Sequence, residues 1–160
     1  MRQILELLII IIIIFIQVID DGSGTKYSND TKKQTINTVT HIVDGDTFDI
    51  ASGQRIRMIG IDTPERGEYF YKEASIRLKE LIDGKEVILI KDVSETDRYG
   101  RLLRHVYLNG VWINKQMIDE GFAKLLTFPP DVEHVQIFKQ AQKKARDAKR
   151  GMWANKDNYK

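Results

Sequence analysis

The order of predicted elements in this chain is typical of the OB-fold, an α+β fold that is mainly β, here with a five-stranded antiparallel barrel and three helices. Three observations predict this class. Short runs rich in β-branched residues, some with two-residue periodicity, indicate strands. An amphipathic helix follows the third run, and an Asn-Gly pair typical of a tight hairpin follows the fifth. Two more helical segments complete the chain.

Three strands are predicted in the first half of the chain. Residues 36–43 and 47–50 form the first two, and residues 55–61 form the third. Thr63 precedes Pro64, and a residue before proline favours extended backbone, so the third strand ends there. The remaining predicted elements are a helix at 73–82, strands at 86–91, 102–108 and 111–113, a short helix capped by Asn114 and ending at Gly121, and a last helix at 132–149.

Composition narrows the classes of function. The chain has 160 residues, enough for one domain with a buried core. It has no cysteine, which excludes disulfides, thiolate zinc sites and cysteine nucleophiles. The formal net charge is only +2, so binding of nucleic acid has to come from local basic patches rather than from an overall positive charge.

The N-terminal segment indicates export. Residues 7–19 are apolar except for Gln17, and as a helix they would be about 20 Å long, shorter than the ~30 Å hydrocarbon core of a bilayer. A secretory signal peptide fits this length, with cleavage before Thr25 after the small residues at 22–24. An uncleaved membrane anchor stays open, because adding Ile4 and Leu5 would lengthen the apolar segment.

The domain boundaries follow from these patterns. Residues 1–24 are predicted as a signal peptide or N-terminal membrane anchor, residues 25–35 as a polar linker, residues 36–154 as the folded domain and residues 155–160 as a tail. The protein is therefore expected to be exported, either secreted or anchored on the outer face of the membrane. In the anchored form, only residues 4–19 would enter the membrane.

Two acidic strings indicate a site for a hard metal ion. Asp46 lies in an Asp-Gly-Asp-Thr string, and Asp62 begins an Asp-Thr-Pro-Glu string. If the turn after the second strand occupies residues 52–55, Asp46 faces Ile61 and lies one residue from Asp62. Two carboxylates at one strand end, with a backbone carbonyl nearby, suit a cation that takes oxygen ligands. The alternative is that Asp-Gly-Asp only makes a turn, as isolated Asp-Gly pairs usually do.

Two arginines are candidate phosphate ligands. Arg57 lies on the third predicted strand, and Arg101 ends an Asp-Arg-Tyr-Gly-Arg string. An arginine offers a planar fork that binds two phosphate oxygens at once, which lysine cannot copy. For each arginine the alternative is a surface ion pair. Arg57 and Asp62 have opposite parity along one strand, so they share a face only if the pleat slips between them, and Gly60 is the candidate bulge.

In this order, the three strings resemble the staphylococcal nuclease (thermonuclease) family from about Thr38 to Trp153. The resemblance implies the OB-fold, in agreement with the predicted element order, and makes residues 36–154 a nuclease domain. The roles that it implies are calcium ligands at Asp46, Asp62 and the Thr63 carbonyl, a phosphate clamp of Arg57 and Arg101, a general base or water-orienting carboxylate at Glu65, and substrate contacts at Tyr99 and Arg98.

The chain departs from the family pattern in one segment. Family members often carry a tyrosine soon after a Gly-x-Ala-Lys segment, where it can stack on a base. Thr127, Phe128 and Pro129 stand there in this chain, and Phe128 is the candidate substitute. The basic residues of the last predicted helix are open to two interpretations, a solvated face or long-range attraction of a polyanion.

The expected function is hydrolysis of phosphodiester bonds. The resemblance implies a calcium-dependent nuclease that acts on DNA and RNA and leaves 3′-phosphate ends. A monomer without an obligate protein partner is expected. Two alternatives stay open: an OB-type module that binds nucleic acid without cutting it, and a surface protein that uses calcium for adhesion. The first usually lacks part of the carboxylate and arginine set, and the second leaves both arginines unexplained.

Overall fold

The computed structural model describes residues 34–155. The predicted signal peptide or anchor at 1–24, the linker up to residue 33 and the tail beyond Asn155 lie outside the described residues. The described strands are β1 (Gln34–Ile42), β2 (Thr47–Ile50), β3 (Arg55–Met58), β4 (Ile61–Asp62), β5 (Glu86–Ile90), β6 (Leu102–Leu108), β7 (Val111–Trp112) and β8 (Lys124–Leu125). The described helices are α1 (Tyr71–Ile82), α2 (Ile113–Asp119), α3 (Val135–Asp147) and a 3₁₀ turn at Gly151–Ala154.

Five strands form a closed barrel, which confirms the predicted fold class. Antiparallel pairs join β3 to β2, β2 to β1, β1 to β5 and β5 to β6. The barrel closes between β3 and β6, where Ile56 pairs with Leu102 in parallel. This pair is the one difference from a fully antiparallel barrel, because a ring with an odd number of strands cannot be antiparallel at every contact. Outside the ring, β7 pairs with β6 in antiparallel orientation, and β4 pairs with β8.

Alternation along β2 and β3 separates the core from an outward polar face. Successive side chains of a strand point to opposite sides, so every second residue enters the barrel. The inward residues are Phe48, Ile50, Ile56 and Met58, all buried, and the residues on the opposite face are Thr47, Asp49, Arg55 and Arg57. The outward face of β2 and β3 therefore carries the charged side chains of the candidate site.

Two helices have different bounds from those predicted. The first begins at Tyr71 rather than at residue 73, after Phe70 in the left-handed conformation with φ of 72°. The last is shorter than the predicted 132–149, because the Asp131 carboxylate accepts hydrogen bonds from two backbone N–H groups after β5 and so fixes the chain before the helix. Between residues 34 and 155, none of the helices is long and apolar enough to cross a bilayer.

Asn114 is not the helix cap that was predicted. Helix α2 begins at Ile113, and Asn114 is fully buried in its first turn. The Asn114 Oδ1 atom accepts a hydrogen bond from Val106 N at 2.8 Å, and its Nδ2 donates to Ile59 O at 2.9 Å. The side chain therefore joins β6 to the end of β3, which satisfies a buried amide with backbone partners.

The third predicted strand is divided into β3 and β4. Gly60 lies between them with φ of +78°, a left-handed conformation that other residues rarely adopt. A Cβ atom on Gly60 would lie 2.4 Å from a ring carbon of Phe138 in α3. Both the backbone conformation and the contact with the Phe138 ring therefore require glycine at this position.

Backbone hydrogen bonds hold the bend on both sides. Ile59 N donates to Arg104 O of β6 at 3.0 Å, and Leu126 N donates to Gly60 O at 3.0 Å. After the bend, Ile61 pairs with Leu125 of β8. The chain thus leaves the barrel at Gly60 and continues in a second, short sheet.

Replacing Gly60 by alanine should destabilise the fold strongly. The left-handed backbone disfavours a side chain, and the new Cβ would overlap the Phe138 ring. We expect the two effects together to lower the free energy of unfolding by about 2–4 kcal/mol, measured by chemical denaturation.

Gly53→Ala is the matched control. Gly53 has φ of +80°, but nothing lies within 4 Å of the position that its Cβ would take. This variant should lose only about 1 kcal/mol. Equal losses for the two variants would show that the Phe138 contact does not constrain the bend.

Candidate active site

The bend at Gly60 brings Asp62 to the side of β3 that carries Arg57. The Arg57 Nη2 atom lies 3.4 Å from Asp62 Oδ1. The two residues differ in parity, so a continuous strand would have placed them on opposite faces. The slip of the pleat predicted at Gly60 is therefore present, and it puts both side chains in one place.

The register of β2 and β3 differs from the predicted one. Thr47 pairs with Arg57, and Asp46 O accepts a hydrogen bond from Met58 N at 2.9 Å. Asp46 therefore lies opposite Met58, and the prediction that it faces Ile61 was wrong. The hairpin closes earlier than a turn at 52–55 would allow, because Ile50 N already donates to the carbonyl of residue 54 at 3.0 Å.

The two acidic strings nevertheless meet, as predicted, because the bend returns the chain to Asp46. Thr63 N and Thr63 Oγ1 donate to Asp46 Oδ2 at 3.1 and 3.2 Å. The Asp-Gly-Asp string also makes a turn, in which Asp44 Oδ1 accepts a hydrogen bond from Asp46 N at 3.0 Å. The turn and the convergence of carboxylates are thus both features of the same string.

Asp46 is a buried carboxyl group with an altered acidity. Its side chain accepts hydrogen bonds from Thr47 Oγ1 at 2.9 Å and from Thr63. Burial raises the pKa of Asp46 to about 6, and the nearby Asp44 adds to the rise, while Arg57 acts in the opposite direction. Desolvation therefore outweighs the ion pair, so a proton or another cation at Asp46 lowers the cost of its burial.

Arg57 links the two aspartates and the bend. Its Nε atom lies 3.1 Å from Asp46 Oδ1, and its Nη2 atom faces Asp62. Its Nη1 atom donates to Met58 O at 2.6 Å and to Ile61 O at 2.8 Å, on the two sides of the bend. The Arg57 side chain is 11% exposed, so the alternative of a surface ion pair does not apply.

Lys124 is a member of the cluster that sequence reasoning did not identify. It pairs with Asp62 between β4 and β8, and its Nζ atom lies 3.1 Å from Asp62 Oδ2. The two residues are far apart in sequence, and only the short second sheet brings them together. Both oxygens of Asp62 thus face a cation, one from β3 and one from β8.

Glu65 lies on the exposed turn that follows the second acidic string. Its backbone N–H donates to Glu68 Oε2 at 2.7 Å, and its carbonyl accepts from Glu68 N at 2.9 Å. These contacts fix the backbone of Glu65 three residues after Asp62 and leave the residue open to solvent.

Tyr99 and the two arginines around it form one exposed group in the loop before β6. The guanidinium carbon of Arg98 lies 4.7 Å from the centre of the Tyr99 ring, and that of Arg101 lies 5.4 Å from it. Arg101 Nε donates to Asp97 Oδ2 at 2.6 Å, and Asp97 Oδ1 accepts from Arg101 N. Tyr99 is 67% exposed, so it is not buried by packing against the hairpin.

The structure places Arg101 beside Arg55 rather than against Arg57. Because Ile56 pairs with Leu102, Arg101 lies level with Arg55 across the closing pair of strands. Arg55, Tyr99 and Arg101 line one cavity of about 540 Å³. Among the contacts of residues 34–155, no hydrogen bond or ion pair joins Arg101 to the aspartate cluster. Of the two predicted clamp arginines, Arg57 thus lies on β3 and Arg101 in the loop before β6, in different surroundings.

The cluster has the groups that a hard cation requires, although it is small. Within residues 34–155 no set of three or more acidic, histidine or cysteine side chains forms a metal cluster. Two carboxylates do share the Arg57 guanidinium, and one of them is buried with a raised pKa. All the available donors are oxygens, which suits calcium or magnesium rather than a softer metal. The residues present therefore fit a divalent ion that completes its shell with water or substrate.

The fold and the site together define a class of protein. On a closed OB barrel, the β2–β3 face and the adjoining loops are where single-stranded nucleic acid binds. This face carries paired carboxylates, arginines and an exposed tyrosine, which are the groups for binding and hydrolysing phosphodiesters.

Comparison with known proteins agrees with this class, an OB-fold protein that binds nucleic acid and hydrolyses phosphodiesters. A family model described as "Staphylococcal nuclease homologue" matches residues 55–155. The Thermonuclease of Staphylococcus hyicus is 32% identical over 156 residues, which cover 91% of this chain and 92% of that protein. Endonuclease YncB of Bacillus subtilis is 29% identical over 84% of this chain and 69% of its own length. An uncharacterized Bacillus anthracis protein is 38% identical over 74% of this chain, a match that spans 60% of that protein.

The chain belongs to the staphylococcal nuclease family, as its motifs predicted.

The raised pKa of Asp46 predicts how the metal-free protein responds to pH. A carboxyl group whose pKa is about 6 when folded and 3.8 when unfolded binds its proton more tightly in the folded state. Its contribution to stability therefore rises as pH falls through 6, and is lost again as pH rises. Between pH 8 and pH 5 we expect a gain of about 1 kcal/mol from this group.

The measurement compares the native chain with Asp46→Asn by urea unfolding in chelator at several pH values. The difference between the two proteins removes the contribution of the histidines. The free energy of unfolding of the native chain, relative to that of Asp46→Asn, should increase as pH falls to 5. A difference that does not change with pH would contradict the raised pKa.

Proposed function

We propose that this chain is a calcium-dependent nuclease that hydrolyses both DNA and RNA and leaves 3′-phosphate ends. Family membership makes it an enzyme, a nuclease whose substrate is nucleic acid. The observation that carries the finer proposal is the convergence of Asp46 and Asp62 on one guanidinium at the outward face of the barrel. That convergence places carboxylate oxygens beside a guanidinium, so that a cation and a phosphate can meet there.

Asp46, Asp62 and the Thr63 carbonyl are the proposed calcium ligands. Nucleases of this family are generally metal-dependent. Calcium tolerates a flexible, mixed shell of oxygen ligands, whereas magnesium demands a tighter octahedron and gives up water reluctantly. The oxygen ligands of the cluster suit either ion, and the choice of calcium follows from the resemblance to the family. When bound, calcium would polarise a phosphoryl oxygen and promote formation of hydroxide.

The arginines are proposed to bind the non-bridging oxygens of the phosphate. Arg101 uses its Nε for Asp97, so both its Nη groups stay available for a phosphate. In the structure Arg57 uses most of its donors on Asp46, Asp62 and the bend, so it positions the carboxylates and keeps one N–H for a phosphate oxygen. Preorganised positive charge of this kind stabilises the charge that develops on phosphorus oxygens in the transition state.

Glu65 is proposed to act on the attacking water. The exposed carboxylate would accept a proton from water, or orient it, as the water oxygen forms a bond to phosphorus. The bond between phosphorus and the 5′ oxygen then breaks, and that oxygen takes a proton. One product ends in a 3′-phosphate and the other in a 5′-hydroxyl. Tyr99, with Arg98 against its ring, would contact the phosphate of the bound strand.

Metal dependence tests the proposed site. We expect full activity on plasmid and single-stranded DNA in calcium, little in magnesium and none in chelator. Asp62→Asn should be inactive at practical calcium concentrations while still folded, because it removes one charged ligand. Gel assays measure the cutting, and enzymatic removal of 3′-phosphates identifies the product ends.

Asp83→Asn is the control for this variant. Asp83 is a half-buried aspartate at the end of α1, away from the cluster, and its ion-pair partner Lys79 lies 3.9 Å away. It should cut like the native chain. Undiminished cutting in chelator, or equal rates in magnesium, would show that the cluster is not a calcium site.

Arg101→Lys tests the phosphate contact. Lysine keeps the charge but cannot hold Asp97 and two phosphate oxygens at once, so turnover should fall by about 10²-fold or more. Arg146→Lys is the control, since Arg146 of α3 lies over the ring of Trp153 and has no role in the proposed site. Circular dichroism checks that both variants fold. Near-native turnover of a folded Arg101→Lys protein would remove Arg101 from the catalytic group.

A further inference from the structure

The outward face of β3 carries a second arginine beside the proposed catalytic group. Arg55 and Arg57 are two residues apart on one strand, so their side chains leave the same face about 6.6 Å apart along it. Across the strand pair, Asp49 stands opposite Arg55. Nothing in the proposed mechanism uses Arg55 or Asp49.

Asp49 holds the Arg55 guanidinium in a defined orientation. Arg55 Nε donates to Asp49 Oδ1 at 2.7 Å, and Nη2 donates to Asp49 Oδ2 at 3.0 Å. This contact occupies one edge of the fork and leaves the Nη1 side free of Asp49. The Arg55 side chain is 50% exposed, against 27% for Asp49. The guanidinium of Arg55 is therefore the more exposed partner of this ion pair.

Arg55 shares its cavity with groups that suit a nucleic-acid strand. The cavity of about 540 Å³ is lined by Arg55, Tyr99 and Arg101, and also by Asp49. Arg55 begins β3 and Arg101 directly precedes β6, the strand that closes the barrel against β3, and each arginine is held by a carboxylate, Asp49 or Asp97. Fixed guanidinium groups beside an exposed aromatic ring match the backbone and bases of a single strand. This is also the face on which OB-folds bind such strands.

A surface ion pair alone does not account for this arrangement. Exposed pairs contribute little to stability, and their partners are usually mobile. Here a two-point contact orients the cation toward a cavity that already contains Arg101, one of the proposed phosphate ligands.

We propose that Arg55, held by Asp49, binds the phosphate next to the one that is cleaved. The active site then contacts at least two consecutive phosphates of a single strand, one at the catalytic group and one at Arg55. This inference rests on the proposed function, since it names a further contact with the same substrate. It assigns Arg55 to substrate binding and not to the chemical step.

The test uses the full chain and a fluorescent single-stranded pentanucleotide in which each phosphate in turn is replaced by a neutral methylphosphonate. Binding is measured by fluorescence anisotropy in chelator at several salt concentrations, and cleavage kinetics are measured in calcium. Arg55→Gln is compared with Lys79→Gln, which removes the same charge from a residue of α1 that is 67% exposed.

Arg55→Gln should weaken binding about three- to tenfold and lower the salt dependence of log K by about 0.7, the amount expected for one lost phosphate contact on a single strand. Lys79→Gln should change neither. A methylphosphonate at one position, next to the cleaved linkage, should weaken binding by the native chain. The same replacement should not weaken binding by Arg55→Gln any further. In cleavage, KM should rise while kcat changes little.

Two results would overturn the proposal: equal binding by Arg55→Gln and Lys79→Gln, or methylphosphonate losses that are the same in Arg55→Gln as in the native chain at every position. If Arg55→Gln does not fold, Arg55→Lys replaces it, with the coupled loss expected at the same linkage. Absence of cleavage by the native chain in calcium would contradict the proposed function alone, because the binding measurement decides the role of Arg55 without any turnover.

Discussion

The backbone bend at Gly60 is the constraint on which both the barrel and the site depend. It ends β3 and lets the chain pair with β8, and groups from two helices hold it, the amide of Asn114 and the ring of Phe138. The same bend turns Asp62 toward Arg57. Since the packing of the core and the position of Asp62 depend on one backbone conformation, the core fixes where Asp62 lies relative to Arg57.

Much of the fold could be predicted because its signals are local. Alternation of apolar residues and turn-forming pairs identifies strands and hairpins. The convergence of Asp46 and Asp62 was predicted from an assumed register, and it occurs instead because the bend at Gly60 returns the chain to Asp46. The predicted register of β2 and β3 was wrong because register depends on where the hairpin closes, and the hairpin closes before the assumed turn at 52–55. Contacts of Asn114 and Lys124 could not be predicted, because they join residues that only the tertiary fold brings together.

The arginines of the outward face fall into two groups according to how their donors are used. In Arg57, all but one of the N–H donors contact carboxylates or the carbonyls at the bend. Arg55 and Arg101 each give one edge to an aspartate and keep the other. A donor already engaged within the protein is not available to a ligand. In the conformation described, Arg57 therefore holds Asp46 and Asp62 in place, and the arginine donors that stay free lie along the cavity of Arg55 and Arg101.

This division has an electrostatic reason. A carboxylate buried like Asp46 is costly unless a cation lies close, and Arg57 at 3.1 Å does not fully offset the burial, since the pKa still rises to about 6. A guanidinium needed for that compensation cannot move away to follow a substrate. Arg55 and Arg101 are more exposed and are held by carboxylates that are themselves less buried. They can exchange water for phosphate without uncovering a buried charge, which makes the outer pair the better place for a strand that has to bind and leave.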